Sequence, residues 1–400
     1  MNIVIYKGQF QYDVVNYFVK ELELAFNEMG HAVITIDLLT TNPNDIISFF
    51  LKNRVDLILS FNGINFVDKS IYEKLNIPLG IILVDHPFYH ISRIKAYKGK
   101  TTFICMYDLE YLDCFEECID NDIPISWLLH GGTEVQSESY VEKEYDIIIP
   151  ASIGNYNYFE QKLLELQEGI VKEIALNLYE RGKTDYNHTL YTYFKEELNS
   201  MGISMQDLMN NEDYLTAFSY IYILVDKALR TRNRYRTVKK LLDEEFTIYH
   251  YGNLQNDELT KYSNFISNGP LDYINLIKEI KKSKLLLNDE PYFQNGSHER
   301  LFTSMLNKTL VLSNINNYCN NQYKDGESIV FYDMNNLDTL VDKIHYYLEN
   351  EDDRKCIEEK AYKITKRFNT WRNRAEEIIN IYSNFIELKN SSLPTGIGEK

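Results

Sequence analysis

The sequence has no apolar run long enough to cross a membrane. Its longest such patch, residues 217–225, falls far short of the roughly 20 residues a helical span requires. Basic charge is also scarce. Lys and Arg number 42 against 59 Asp and Glu, giving a net charge of −17 and a pI near 5.0. That deficit argues against nucleic acid as a general partner, because phosphate backbones call for a basic surface. It argues equally against adsorption to anionic lipid. Cysteine is limited to five residues, Cys105, Cys114, Cys118, Cys319 and Cys356, an odd number without metal-ligand spacing. These read as reduced thiols. No HExxH, GxSxG or Walker loop is present, and no GxGxxG opens a helix after the first strand. The opening MNIVIYKGQF reads as a strand and not as a signal peptide. The expectation is a soluble, cytoplasmic protein.

What is present is a chain of 400 residues, 44% hydrophobic, which favours two or three domains over one. The 32 tyrosines, with many Asn, Ile and Lys, read as the codon bias of an AT-rich genome. Short apolar runs at 2–6, 32–38, 56–60, 79–84, 103–106 and 125–129 predict strands. Between the first two, Val14, Val15, Phe18, Leu22, Ala25, Phe26 and Met29 share one helical face, and Gly30 ends the helix. A second unit opens at 146–149 and then breaks: residues 156–244 read as a helical insertion. Strands resume at 246–249, 264–267, 284–288, 309–313 and 328–332, followed by helices over 335–349, 352–367 and 370–388. This rhythm predicts an α/β chain of two doubly wound domains, residues 1–144 and 145–370, with ligands in the cleft between them. A last helix over 371–389 and a polar, disordered tail over 390–400 complete the division.

The stretch 283–314 carries the strongest chemical signal. Asn295, Gly296 and Ser297 precede a helix that opens with His298, Glu299 and Arg300. A helix start holds anions through backbone N–H groups and its dipole. With Ser297 as N-cap, a diphosphate there would take those amides and a bidentate contact from Arg300. His298 would donate a further bond, and Glu299 would accept from a ribose or sugar hydroxyl. The alternative is an ordinary capped helix with its charges in water. A second candidate is Asp85-His86-Pro87-Phe88-Tyr89-His90 at a strand end. Asp85 or His86 would act as general base on an acceptor hydroxyl, and Phe88 and Tyr89 would shape its pocket. The alternative there is a turn fixed by Pro87. His130 reads as a satisfied histidine at a hinge. Gly8, after the first strand, would allow close approach of a substrate, or simply make a tight turn. Ser152 and Asn155, after the first strand of the second unit, would hydrogen-bond a donor. Arg230, Arg232, Arg234 and Arg236 read mainly as a solvated face, with one of them able to reach a phosphate. Asp120-Asn121-Asp122 has the Asp-x-Asp form of metal-dependent transferases, but it follows a helix and reads as a loop turn.

The chain resembles GT-B glycosyltransferases, in particular the spore-maturation (CgeB-like) group. The resemblance rests on NGSHERLFTSML (295–306), DGESIVFYD (325–333), DTLVDKIHYYLENEDDRKCIEEKAYK (338–363), RFNTWRNRAEEII (367–379) and IPLGIILVDHPFYH (77–90). It implies two Rossmann-like domains and a last helix that packs back on the first. It also implies a bacterial hexosyl- or N-acetylhexosaminyl-transferase without an essential metal or other cofactor. The donor would be a nucleotide sugar, UDP-linked by expectation, and the acceptor a glycan, protein or small molecule. Asn268, Pro270, Leu271 and Tyr273 would cradle the base. The acidic residues that many retaining relatives use fall on Asn295 and Thr303, neither of them acidic. The implied ribose contact at Thr303 then passes to Glu299, one turn earlier. The same absence motivates a second reading, a non-catalytic binder of nucleotide sugars or glycans on this fold.

Overall fold

The computed structural model describes residues 1–65, 70–97, 99–118, 122–135 and 141–391. Residues 392–400 of the expected tail, and Asp120-Asn121 of the Asp-x-Asp turn, lie outside the described residues.

The apolar runs form two parallel sheets. The first contains β1 (Asn2–Lys7), β2 (Ala32–Asp37), β3 (Leu57–Phe61), β4 (Leu79–Ile82), β5 (Thr102–Met106) and β6 (Ile125–Trp127), in the order β2-β1-β3-β4-β5-β6. Helices α1 (Val14–Glu28), α2 (Pro43–Lys52), α3 (Ser70–Leu75), α4 (Ile91–Ile94) and α5 (Leu112–Cys118) alternate with these strands. The second sheet contains β7 (Tyr145–Ile149), β8 (Ile248–His250), β9 (Phe265–Ser267), β10 (Ser283–Asn288), β11 (Leu310–Asn314) and β12 (Val330–Tyr332), in the order β12-β11-β10-β7-β8-β9. Its crossings include α11 (Tyr273–Lys281), α12 (Glu299–Leu306) and α13 (Asn317–Gln322), and it is followed by α14 (Asp338–Glu349), α15 (Glu351–Phe368) and α16 (Trp371–Ser391). The strand order reverses beside β1 in one sheet and beside β7 in the other. Such switch points open crevices at the carboxyl ends of the strands.

The insertion is helical throughout its elements: α6 (Tyr156–Leu164), α7 (Ile170–Gly182), α8 (Leu190–Ser200), α9 (Met205–Asn210) and α10 (Glu212–Asp243). At 32 residues, α10 extends about 48 Å. Its first half buries Phe218, Tyr222 and Val225 in one core with Phe88, Ile104 and Phe115 of the first domain. Its second half buries Val238, Leu241 and Leu242 with Ile147 and Leu285 of the second. The helix is thus a strut shared by both cores. α16 returns to the first domain, where Trp371 packs with its ring centroid 4.5 Å from that of Phe18 and joins the same buried cluster as Leu22 and Phe61.

The domains also meet at a buried carboxylate. Asp108, just past β5, is fully buried. It accepts the backbone N–H of Gln294 at 2.7 Å and of Asn295 at 3.1 Å. A Cβ on Gly296 would lie 2.1 Å from the carbonyl oxygen of Tyr107. Asn295 and Gly296, expected to meet a diphosphate, make this contact with the first domain instead. They dock the second domain on the first, and glycine is required by the backbone-to-backbone approach.

Burial pushes the Asp108 carboxyl up to about 7; the amides of Gln294, Glu110 and Asn295 pull the other way, and the Glu110 charge adds to the rise. A folded pKa above the unfolded value of about 4 gives stability that is complete below that value and lost as pH rises through the folded one. The variant Asp108→Asn cannot ionise. Urea denaturation should show its stability, relative to the parent, increasing between about pH 5 and about pH 8; a pH-independent difference would contradict this placement.

Candidate active site

A cavity of ≈ 430 Å³ lies between the two sheets. Its walls come from the segments after β1 (Phe10–Tyr12), β3 (Asn62), β4 (Val84–His86), β7 (Pro150–Ser152) and β10 (Asp289–Phe293), from the start of α12, and from α10. Both switch points therefore open on one space, the usual place for a ligand in such sheets.

At the start of α12 the N-cap is His298, not Ser297. The Ser297 hydroxyl donates to Glu290 Oε1 at 2.7 Å, the His298 N–H donates to Oε2 at 2.9 Å, and Asn316 Nδ2 donates to Oε1 at 2.9 Å. The carboxylate of Glu290, itself 3% exposed, thus takes the N–H of the N-cap residue, just ahead of the first turn. Of the groups expected to meet a diphosphate, the Ser297 hydroxyl and the His298 N–H are therefore bound to Glu290. Ser297 is fully buried in that arrangement. Burial raises the Glu290 pKa, opposed by the His298 amide and the Ser297 hydroxyl.

Arg300, in the same turn, lines the cavity and is 8% exposed. Its guanidinium makes no hydrogen bond and no ion pair among the described residues, and its Nη1 is buried without a partner. Burial lowers its pKa, and the neighbouring Arg234 adds to that; Asp289, Glu299 and Glu290 oppose it from a distance. Arg234 is engaged: Nε donates to Asp289 at 2.9 Å and Nη1 to the Ser152 carbonyl at 2.5 Å. Arg230, one helical turn earlier, reaches Asp226 at 2.5 Å and the Tyr89 hydroxyl at 2.9 Å. Both arginines line the cavity, so this part of the basic cluster is no solvated face. The i, i+4 spacing was the signal that places them on one side of the helix. Glu299 also lines the cavity and pairs with the His298 ring. Burial would raise its pKa, but His298, Arg300 and His130 overcome that and hold it at about 2.

On the first domain, Asp85 projects into the cavity with its side chain 51% exposed. That exposure is to the cavity; protein atoms crowd its remaining sides. Burial raises its pKa, but the hydrogen bond and charge of His90, then Arg230 and Asn62, outweigh it and leave the carboxylate below its ordinary value. His86 is not placed as a base. It is 5% exposed, its Nδ1 accepts the Phe88 N–H, and its ring packs against Tyr111 and Tyr222. Burial drives its pKa well down. Tyr89 lines the cavity, its hydroxyl donating to Asp226 at 2.6 Å. His130 is a satisfied core histidine whose Nδ1 meets the Ser297 carbonyl at 2.9 Å.

Other expected contacts move. Gly8 is buried away from the cavity, where a Cβ would strike Ile64 at 2.8 Å; Phe10, Gln11 and Tyr12 face the cavity instead. Tyr12 adopts a left-handed φ of 55°, and its hydroxyl bridges to Ser152 Oγ at 2.7 Å across the domains. Thr303 borders the cavity but is fully buried, its hydroxyl meeting the Thr133 N–H at 3.2 Å and the Tyr273 hydroxyl at 3.0 Å. Tyr273 borders the cavity, but it packs edge-on against Phe18 with 5.8 Å between ring centroids and is 3% exposed. Asn268 and Pro270 are exposed, Leu271 is half-buried, and none of the three lines the cavity. Pro150–Ser152 and Leu276 line it on the second-domain side.

Residues 230–380 match a family model described as glycosyl transferase-like. No curated protein matches the sequence. Among solved structures, Anabaena Alr3699/HepE in complex with UDP and glucose is similar over 96% of this chain and 100% of that one, with a TM-score of 0.52 and 9% identity. An alpha-glucosyltransferase in complex with UDP and a 13-mer DNA is similar over 96% and 99%, with a TM-score of 0.53 and 12% identity. A sucrose-phosphate synthase from Thermosynechococcus elongatus is similar over 97% and 100%, with a TM-score of 0.50 and 9% identity. The two six-stranded parallel sheets and their flanking helices are those of the GT-B glycosyltransferase fold.

Proposed function

We propose that this chain is a glycosyltransferase that moves a sugar from a UDP-linked donor to an acceptor hydroxyl, of the hexosyl or N-acetylhexosaminyl class. The observation that carries this reading is the buried guanidinium of Arg300, which lines the cavity with no hydrogen bond or ion pair among the described residues. A guanidinium stays charged in proteins, and a buried charge without a counter-ion costs several kcal/mol. A diphosphate supplies the missing anion with matching bidentate geometry. UDP in the similar structures of Alr3699/HepE and the alpha-glucosyltransferase supports that choice of donor.

In this reading the acceptor oxygen attacks the anomeric carbon and the nucleoside diphosphate leaves. Arg300 and Arg234 stabilise the charge that develops on the leaving oxygen. Asp85 accepts the acceptor hydroxyl from the opposite wall, and Glu299 takes a ribose or sugar hydroxyl. The leaving charge falls to side chains, so metal independence is part of the proposal. The resemblance of residues 295–306 and 367–379 to the bacterial spore-maturation group supports a cytoplasmic enzyme acting on a surface or coat polymer. The net charge of −17 disfavours a nucleic-acid acceptor.

Isothermal calorimetry should show Arg300→Ala weakening UDP binding by ~1.5–3 kcal/mol, the scale of a hydrogen bond to a charged group; unchanged affinity removes Arg300 from the site. Asp85→Asn should slow transfer by ~10²-fold or more while leaving UDP affinity within a few-fold, and equal turnover removes Asp85 from the chemistry. Turnover should survive EDTA. If the folded protein binds UDP-sugars and neither transfers nor hydrolyses them, the non-catalytic binder replaces this proposal.

A further inference from the structure

Asp85 presents its two oxygens differently. Oδ2 receives Asn62 Nδ2 at 3.0 Å and meets His90 Nε2 at 3.3 Å. Oδ1 has no hydrogen-bond partner among the described residues, and the side chain projects into the cavity. Asn62 is itself fixed from several sides. Its N–H donates to the Ile82 carbonyl at 2.8 Å, its Oδ1 accepts the Val84 N–H at 3.0 Å, and its carbonyl accepts from Arg93 Nη1 at 2.8 Å. Its φ is 52° and that of the following Gly63 is 64°. Asparagine tolerates this left-handed region better than most residues, but it remains an uncommon conformation, held here by the surrounding bonds. The turn after β3 therefore spends a strained residue on aiming one amide at both the backbone and the carboxylate of the turn after β4. His90, 14% exposed at its side chain, backs the same oxygen from the far side.

We propose that Asn62 and His90 are positioning residues that clamp Oδ2 of Asp85 and so aim its free Oδ1 at the acceptor hydroxyl. This rests on the glycosyl-transfer reading above. In the step itself, the acceptor oxygen bonds to the anomeric carbon. The bond from that carbon to the phosphate oxygen breaks, its electron pair leaving on the diphosphate. The hydroxyl proton passes to Asp85 Oδ1. A carboxylate that swings about its Cβ–Cγ bond would meet the hydroxyl only part of the time; two donors on Oδ2 remove that freedom.

The clamp also predicts a pH signature. The charged and titratable groups around Asp85 are His90 and Tyr89 on its own segment, Arg230 and Asp226 on α10, Tyr107 after β5 and His130 after β6. Of these, His90 and Arg230, with the Asn62 amide, favour the ionised carboxylate. Removing Asn62 or His90 should therefore raise the Asp85 pKa, and activity should fall at a higher pH on the acid side.

The test uses UDP-glucose hydrolysis by the full chain, with water standing in for the acceptor, together with UDP binding by calorimetry. Expected for Asn62→Ala and His90→Leu is a fall in kcat of roughly tenfold to a hundredfold, with UDP affinity unchanged and the acid limb of the rate profile moved upward. His90→Gln, which keeps a neutral donor, should recover most of the rate. Unchanged kcat, an unmoved acid limb, or no recovery in His90→Gln overturns the clamp while leaving the transfer reading intact. If Asn62→Ala fails to fold, the pair of His90 variants decides the matter alone. A parent protein that neither binds UDP nor hydrolyses UDP-glucose sinks the transfer reading, and the clamp with it.

Discussion

The site depends on how negative charge is distributed around the first turn of α12. A helix start attracts an anion, and here Glu290, bound to the Ser297 hydroxyl, the His298 amide and the Asn316 side chain, supplies it from within the chain. Glu299, the next carboxylate, is paired with His298. Asp289 is held by Arg234. These three acids are committed, and Nη1 of Arg300 is left buried without a hydrogen-bond partner among the described residues. Arginine keeps its charge in proteins, so Arg300 is the cation placed to meet an incoming anion in the proposed reading. In the proposed reading a diphosphate is recognised first by the guanidinium geometry of Arg300.

The strut formed by α10 explains why an insertion belongs in such a site. One helix enters the cores of both domains, and two of its arginines one turn apart reach opposite walls. Arg230 contacts Tyr89 of the first domain, and Arg234 contacts Ser152 and Asp289 of the second. Tyr222 and Asp226 of the same helix line the first-domain side of the cavity. The insertion is therefore a third wall that fixes the spacing between the two domain faces of the cavity, alongside the Asp108 docking contact and the Tyr12 bridge to Ser152. Two domains held at this many points keep reacting groups at a set distance, which is what a bimolecular transfer requires.

Much of the architecture was legible because parallel sheets write themselves as repeated apolar runs. β1, β5, β7 and β10 begin and end within a residue or two of the runs at 2–6, 103–106, 146–149 and 284–288, and the helical break at 156–244 stood out for its lack of any such run. Arg300 and Asp85 were visible as residues facing the cleft because each follows a strand end. Their surroundings were not. Glu290 is held by Asn316, 26 positions away, and Asp108 by Asn295, 187 positions away; no local pattern encodes such partners. Gly296 shows how a sound local inference fails: the glycine is required, but the backbone that approaches it is Tyr107 of the other domain and not a phosphate. Thr303 is similar. Its hydroxyl, expected to face a ribose, meets Tyr273 and Thr133 in the domain interface, a contact that only the folded chain brings together.

The most direct measurement is a crystal structure of the protein with saturating UDP. The account predicts the diphosphate against Arg300, with Arg234 alongside and the Glu290 carboxylate still seated on the His298 amide. A diphosphate bound to the start of α12 with Glu290 expelled, or a cleft in which Arg300 still touches no phosphate oxygen, would contradict it.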